Sequence, residues 1–546
     1  MRVMPQILRD RAGAHGDARA YTFLDDGERE GASLTWRELD DRASAIASAI
    51  ASSAGVGARV LILCPPGLSF IPAFFAALRA RTIAVSAYPP RAGRAGIDPD
   101  DRTLARLRAI VSDARPAVVL APAALAQRAG AVIALVPDLA QARWIDLDAE
   151  SGSGASFRDA AIDPSDVAFL QYTSGSTAEP RGVMVTHANL VHNLADAQAQ
   201  ARHDRSSASV SWLPVIHDMG LIQGVLQPAF SGFPAWLMSP AAFLQRPARW
   251  LRAISSIGAT ISGGPNFAYE LCVRRISEAE RDGLDLRRWR LAFNGAEPIR
   301  QSTLDAFHGA FAACGFDRAA FRPCYGLAEA TLLVTTGQGP ATGCGRPAAG
   351  TDLRIVDLQT LREAEAGTPG EIWVSGPGVA AGYWRQPEIT DNVFNACMAG
   401  TGEGPFLRTG DLGVIAADGL HVTGRIKDIL IVRGVKHFPQ DIEGTVERAS
   451  PFLRAGCCAV FAMPGVDGDQ VAVAAELDSG GGDETPDALI LNIREAVGAA
   501  HGIQVSAVAL VAPGSIPKTT SGKLQRFLCR EGLLNGRLTP VSYWAA

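Results

Sequence analysis

Hydroxyl and glycine residues crowd together at Tyr172-Thr173-Ser174-Gly175-Ser176-Thr177, with Arg181-Gly182 close behind. Backbone N–H groups and hydroxyls in such a run can donate to phosphate oxygens. The run lacks the G-K-[ST] ending of a Walker-type loop, and alone it would read as a polar turn from a strand into a helix. Asn294-Gly295-Ala296-Glu297-Pro298 and Tyr325-Gly326-Leu327-Ala328-Glu329-Ala330-Thr331 each put a glycine-bearing turn after an apolar run. The ends of strands in α/β sheets are where ligands bind, although either stretch also makes sense as plain connecting chain. Tyr325 could stack on a base, and Glu329 offers the hard oxygen that magnesium wants.

Arg408-Thr409-Gly410-Asp411 and Gly424-Arg425-Ile426-Lys427-Asp428 follow. An aspartate can accept from both hydroxyls of a ribose, and a nearby arginine adds a donor. Pro517-Lys518-Thr519-Thr520-Ser521-Gly522-Lys523-Leu524-Gln525-Arg526 is a basic, glycine-bearing loop that alone reads as solvated surface. Trp212-Leu213-Pro214 leads into His217-Asp218-Met219-Gly220. Its His–Asp pair could line a site or satisfy itself structurally, and Asp218 could pair with a substrate amine. Gly263 and Gly264, close to Phe267 and Tyr269, could leave an apolar slot for the chain of an acid. Tight strand packing around the glycines is an equally good reading.

These residues need a framework to hold them. Short apolar runs at 59–64, 83–88, 117–121, 167–172, 259–262 and 290–293 predict strands, with amphipathic segments between several of them. Thr35 with Glu38 forms a capping box, and Leu39, Ala43, Ile46 and Ile50 continue it as a core-facing helical stripe. This alternation predicts an α/β domain with a substantially parallel sheet. From about Gly345 the texture changes to short strands at 353–356, 371–374 and 421–423 among Gly and Pro turns, a small β subdomain. Beyond Arg425, apolar runs at 458–463, 471–476 and 505–511 and a helix at 488–499 predict a separate α+β domain, with Asp478–Asp483 as a surface turn.

A chain of 546 residues exceeds what one core can serve, so at least two domains are expected. A net charge of −5 argues against a nucleic-acid or anionic-membrane surface. Charges at Arg2, Arg9, Asp10 and Arg11 break any signal-peptide core, and no apolar stretch is long enough to span a membrane. Nine scattered cysteines without a C-x-x-C pair read as reduced thiols of a cytoplasmic protein.

Taken together and in order, from Leu34-Thr35-Trp36 to Lys523, these segments resemble the superfamily of acyl-CoA synthetases, nonribosomal adenylation domains and luciferases. Within it they look closest to the fatty acyl-AMP ligases. The telling pieces are Leu170–Thr177, Ser211–Pro214 through His217–Gly220, Phe243-Leu244-Gln245-Arg246-Pro247, Gly264-Pro265-Asn266-Phe267-Ala268-Tyr269-Glu270 and Tyr325–Thr331. The resemblance implies a large N-terminal domain, 1–426, with parallel sheets and a small β subdomain at about 341–426. A mobile α+β lid, 427–546, would turn about a hinge at Lys427.

The resemblance implies ATP as cosubstrate, with phosphates at Thr173, Ser174, Gly175, Ser176 and Thr177. It places adenine near Gly295, Ala296 and Tyr325, with Glu297 and Gly326 in the same nucleotide-binding set, and Mg2+ at Glu329. Asp411 and Arg425 would hold ribose. Lys523 would be the catalytic lysine, joined by His217. Asp218, Met219, Gly263, Gly264, Phe267 and Tyr269 would contact the acid.

Two departures stand out. Arg181 occupies a position where many relatives carry lysine. Fatty acyl-AMP ligases typically carry an insertion between the Tyr325–Thr331 motif and the Gly345-Arg346-Pro347 turn, linked to discrimination against coenzyme A, and here only Thr335–Gly343 joins them. The expected activity is therefore conversion of a fatty acid to acyl-AMP. The acyl group would then pass to the phosphopantetheine thiol of an acyl carrier protein, or alternatively to free coenzyme A. A stand-alone amino-acid adenylating enzyme and a catalytically dead acyl-binding protein are the more distant readings.

Overall fold

Strands that are apolar on both faces must be covered on both faces, which favours parallel pairing through helical crossovers. The computed structural model describes residues 1–93, 96–98, 102–149, 157, 159–173, 180–348, 350–432, 435–465, 468–478, 484–518 and 524–546. The chain divides into two compact units. One is Met1–Gly367 with Ile372–Thr409 and Ile415–His421, and the other is Thr368–Glu371 with Gly410–Val414 and Val422–Ala546.

In the first unit, six strands lie in the order Arg181–Thr186, Val167–Thr173, Ile83–Ser86, Arg59–Ile62, Val118–Ala121 and Arg143–Asp146. All neighbours pair in parallel except Arg181–Thr186, which runs antiparallel at the edge. A second sheet runs Arg346–Pro347, Leu333–Thr336, Phe321–Gly326, Leu291–Asn294, Ile261–Gly264, Ser209–Ser211, Ala235–Met238, Arg19–Leu24 and Glu30–Thr35. It is parallel at its centre and antiparallel at both edges. The helix Phe70–Arg79 is buried at every residue, as expected of a segment apolar all round. Trp212, Phe243, Trp250, Tyr269, Trp289, Phe307 and Phe321 pack into an aromatic core behind the second sheet. From Asp352 to Arg425 the chain forms four strands, Asp352–Val356, Gly370–Ser375, Leu407–Ala416 and Gly419–Arg425, whose residues are shared out between the two units.

The second unit carries the sheet Leu453–Gly465, Gly468–Leu477, Val505–Val511 and Pro540–Ala545. Ile442 and Val446 of Pro439–Ala449, with Ile493 and Val497 of Pro486–His501, cover one face. Cys529 of Arg526–Leu534 packs with Ile516 on Ala459, Ala474 and Ala509 of the other.

The expected strand over 259–262 lies at Ile261–Gly264, because parallel pairing of Gly263 with Phe293 and Gly264 with Asn294 draws both glycines into the ladder. The Thr35 capping box forms as read, with Glu38 N–H donating to Thr35 Oγ1 at 3.2 Å. The surface turn expected at Asp478–Asp483 lies outside the described residues beyond Asp478.

Arg79 is 2% exposed and donates to Asp40 at 2.7 Å and to Asp159 at 3.0 Å. Burial outweighs the pairing: it holds Asp40 above its ordinary carboxylate value and Arg79 below its ordinary value. Removing one member strands buried charge, so Arg79→Ala should cost about 3 kcal/mol of stability, read as a lowered urea midpoint. Burial also lowers His187 and His203 from 6.5 to about 4. Both imidazoles bind fewer protons folded than unfolded, so their contribution is complete above about pH 6.5 and is lost as pH falls toward 4. The melting midpoint should drop across that window, and His203→Gln should make the drop shallower.

Candidate active site

The polar run at 172–182 joins two antiparallel strands, with Thr173 opposite Arg181 and Tyr172 opposite Gly182. It is a hairpin connection, not the strand-to-helix turn that an isolated reading suggests, and the helix begins only at His187. Thr173 closes the first strand, half-buried. Ser174, Gly175, Ser176 and Thr177 lie outside the described residues, as does Lys523. Three contacts fix the run's entrance. The Tyr172 hydroxyl donates to Asp113 Oδ2 at 2.6 Å, Arg106 Nη2 donates to the Tyr172 carbonyl at 3.0 Å, and Gln171 Nε2 donates to the Ile216 carbonyl at 2.8 Å.

That last bond reaches the next motif. His217 stands at the N-cap position of the short helix Asp218–Leu221 without a side-chain capping bond, and its ring meets Tyr88 edge-on at 6.4 Å. Asp218 Oδ1 accepts the Met219 N–H at 2.7 Å. Gly220 is required by contact: a β-carbon there would lie 2.0 Å from the Pro214 carbonyl oxygen.

Of the two readings of Gly263 and Gly264, an apolar slot or tight strand packing, the contacts at the glycines themselves are those of tight packing. A β-carbon at Gly263 would lie 2.2 Å from the Phe293 carbonyl oxygen, and one at Gly264 would lie 2.6 Å from Trp212 Cζ2. Tyr269 is a core residue and not a pocket wall. It is fully buried, donates to the Phe293 carbonyl at 2.7 Å, and packs against Trp250, Trp289, Phe307 and Phe321. Phe267 is half-buried, edge-on to Trp212 at 6.0 Å.

Glu297 Oε1 accepts the Phe267 N–H at 2.5 Å, so this carboxylate caps the helix Asn266–Arg275. Asn266, whose role the sequence reading missed, gathers the same corner. Its Oδ1 accepts from Asn294 Nδ2 at 3.4 Å and from the Arg300 N–H at 3.2 Å, and its Nδ2 donates to Thr303 Oγ1 at 3.1 Å. Between them Ala296 has φ of 69°, a conformation that costs a non-glycine residue energy and is held only by its surroundings. Gly295 packs against Cys324, and Tyr325 is buried at the end of its strand. A β-carbon at Gly326 would lie 1.7 Å from the Leu332 carbonyl oxygen.

Glu329 sits on the turn Ala328–Ala330, and its Oε1 accepts a hydrogen bond from the Tyr383 hydroxyl at 2.8 Å. Arg181 lies over the Tyr383 ring, 5.4 Å from its centroid. Burial, and then the charge of Glu329, push the Tyr383 phenol well above its ordinary value, so it stays a donor. Tyr383 was invisible to motif reading, and only the fold brings it to Glu329.

In the other unit, Asp411 is buried and pairs with Arg425 Nε at 3.0 Å. Lys427 is exposed on the turn Ile426–Asp428. Arg526 donates to the neighbouring Asp428 at 2.8 Å and grips Glu443 with two bonds of 2.7 Å. Among the described residues no three His, Cys, Asp or Glu side chains gather as a metal cage. A lone hard carboxylate such as Glu329 suits a magnesium ion held largely by phosphate oxygens and water.

Known proteins resemble this chain along nearly its whole length. A family described as AMP-binding enzyme matches residues 8–384. A second, the AMP domain of Disco-interacting protein 2-like proteins, matches residues 427–541. A medium-chain-fatty-acid–[acyl-carrier-protein] ligase, JamA of Moorena producens, is 41% identical, over 97% of this chain and 95% of its own. The long-chain-fatty-acid–AMP ligase FadD23 of Mycobacterium tuberculosis is 37% identical, over 96% of this chain and 95% of its own. The crystal structure of a fatty acid AMP ligase from Legionella pneumophila superposes with a TM-score of 0.73 at 38% identity, covering 100% of this chain and 98% of that one. The chain therefore belongs to the AMP-binding enzyme family, as one of its fatty acyl-AMP ligases.

Proposed function

We propose that this enzyme activates a fatty acid with ATP and passes the acyl group to the phosphopantetheine thiol of an acyl carrier protein. In the first half-reaction a carboxylate oxygen attacks the α-phosphorus and pyrophosphate leaves. In the second the thiol attacks the acyl carbon, AMP leaves, and the thiol proton goes to solvent. The observation that carries the reading is the group Glu329, Tyr383 and Arg181 at the exit of the 174–179 loop. It sets a carboxylate and a cation beside residues suited to donate to phosphate.

Little covalent chemistry falls to the protein in such a transfer, so position and preorganised charge dominate. Glu329 would hold Mg2+, which supplies positive charge to the polyphosphate. Thr173 and the loop after it would bind phosphates, with Gly295, Ala296, Tyr325 and Gly326 around the adenine. Asp411 and Arg425 would take the ribose, the 3.0 Å pair presenting an acceptor beside a donor. His217, Asp218, Met219 and Phe267 would face the acid. Lys427 would be the hinge about which 427–546 turns between half-reactions. Nine unpaired cysteines, six of them buried, suit a reducing cytoplasm.

Free coenzyme A as acceptor is the second reading, favoured by the connection after Tyr325. Thr335 pairs with Pro347 and Thr336 with Arg346, so the stretch between is a short, closed hairpin. At its base Gly345 has φ of 71°, and a β-carbon there would lie 2.1 Å from the Thr336 carbonyl oxygen. Supplying the enzyme, ATP, magnesium and a panel of fatty acids with either acceptor decides this, with products read by mass spectrometry. Acyl-carrier product with little acyl-CoA is expected, and abundant acyl-CoA would replace the first reading with the second.

Lys523 is the proposed point charge that touches carboxylate and phosphate together. Lys523→Ala should slow adenylation on the order of a hundredfold or more, as losing one transition-state contact does, while sparing acyl transfer from a pre-made acyl-adenylate. Equal loss in both half-reactions would remove Lys523 from that role.

A further inference from the structure

The segment 378–384 does more than connect two elements. The Met184 N–H donates to the Gly382 carbonyl at 2.8 Å, the Ala381 N–H to the Met184 carbonyl at 2.9 Å and the Trp384 N–H to the Gly182 carbonyl at 2.7 Å. It thus runs alongside Arg181–Thr186, the strand that leaves the 174–179 loop. The same segment grips the Glu329 turn. The Ala380 N–H donates to the Glu329 carbonyl at 2.9 Å, and Thr331 Oγ1 donates to the Gly378 carbonyl at 2.7 Å. Tyr383 itself is fixed at both ends: its N–H donates to Thr390 Oγ1 at 2.9 Å, and its ring packs edge-on against Phe394 at 5.1 Å. One side chain therefore joins the exit of the loop to the carboxylate, with its hydroxyl on Glu329 and its face under Arg181.

We infer that Tyr383 is a positioning residue of the nucleotide site, holding the Glu329 carboxylate in the orientation that presents it to a divalent cation on ATP. The inference rests on the adenylation reading. The geometry has a specific consequence. A carboxylate swings about its terminal torsion unless a donor fixes it. Tyr383 supplies such a donor, its backbone held by Thr390 and its ring set between Phe394 and Arg181. Without the hydroxyl, Glu329 remains present and charged but loses the donor that fixes its Oε1. The loss should therefore fall on the use of the cation and be repaired by more of it. A structural loss would depress nucleotide binding at every cation concentration.

The test is Tyr383→Phe, which keeps the ring and its packing. ATP binding to the wild type and the variant would be measured by titration calorimetry across a series of magnesium concentrations, alongside the thermal midpoint of each protein. The expected result is a magnesium requirement for ATP binding raised about tenfold, the scale of one hydrogen bond to a charged group. Affinity should recover at saturating magnesium, and the thermal midpoint should stay close to wild type. A variant that matches the wild type at every magnesium concentration would overturn the inference. So would a loss that magnesium does not repair, or a large fall in the thermal midpoint, either of which would mark Tyr383 as structural only. A wild type that binds no ATP with magnesium would overturn the adenylation reading, and this inference with it.

Discussion

Donors that wander cannot stabilise a polyphosphate better than water does, so a phosphate-binding run depends on what clamps its two ends. For the run proposed to bind phosphate, the clamp is the antiparallel pairing of Val167–Thr173 with Arg181–Thr186. Entry is fixed by Asp113 and Arg106, which hold Tyr172, and by the Gln171 amide, which donates to the Ile216 carbonyl. Exit is fixed by a second ladder, from Gly182 and Met184 to the segment around Tyr383. Because Gln171 also holds the Ile216 carbonyl, the His217 turn is positioned from the same strand. Strain at Ala296 fits this picture: a residue at φ 69° survives only where neighbours such as Glu297 and Asn266 leave the chain no alternative.

The second unit solves a related problem with charge. Arg526 stands three residues after Lys523 and grips both Asp428, the residue after Lys427, and Glu443 on a helix. Glu443 is 2% exposed and also accepts the Val460 N–H at 3.0 Å, so its oxygens have partners on the helix Arg526–Leu534 and on the central sheet. A buried ion pair earns little net stability when it replaces apolar packing, but it penalises any arrangement that separates its members. Its effect is one of geometry: the chain just past the proposed hinge is tied to the chain just past the proposed catalytic lysine.

Much of the framework was legible because its signals are local. Parallel strands such as Val118–Ala121 are continuous apolar runs, and the Thr35–Glu38 cap is a four-residue pattern. Shorter or polar strands such as Ser209–Ser211 and Arg181–Thr186 were not legible, because long-range pairing decides them and propensity does not. The same limit applies at the acid site. Glycines at 263 and 264 mark either open space or a close neighbour, and sequence alone does not distinguish the two. The Phe293 carbonyl and the Trp212 ring supply the neighbour. Tyr383 is 54 positions from Glu329, so no spacing rule connects them.

Arg181, where many relatives carry lysine, becomes intelligible beside Tyr383. An ammonium is a compact, strongly hydrated charge, and over a phenol ring it gives up solvent for modest return. A guanidinium is flat and weakly hydrated, so it can lie on the ring and still direct N–H groups outward from its edge. At 5.4 Å from the ring centroid, Arg181 lies over the face of Tyr383. Lysine would bring the same charge there as a compact, strongly hydrated ammonium. On this argument the exchange does not simply preserve a positive charge. It adds a second contact to the tyrosine that donates to Glu329, and so links Arg181 to the Glu329 turn through one side chain.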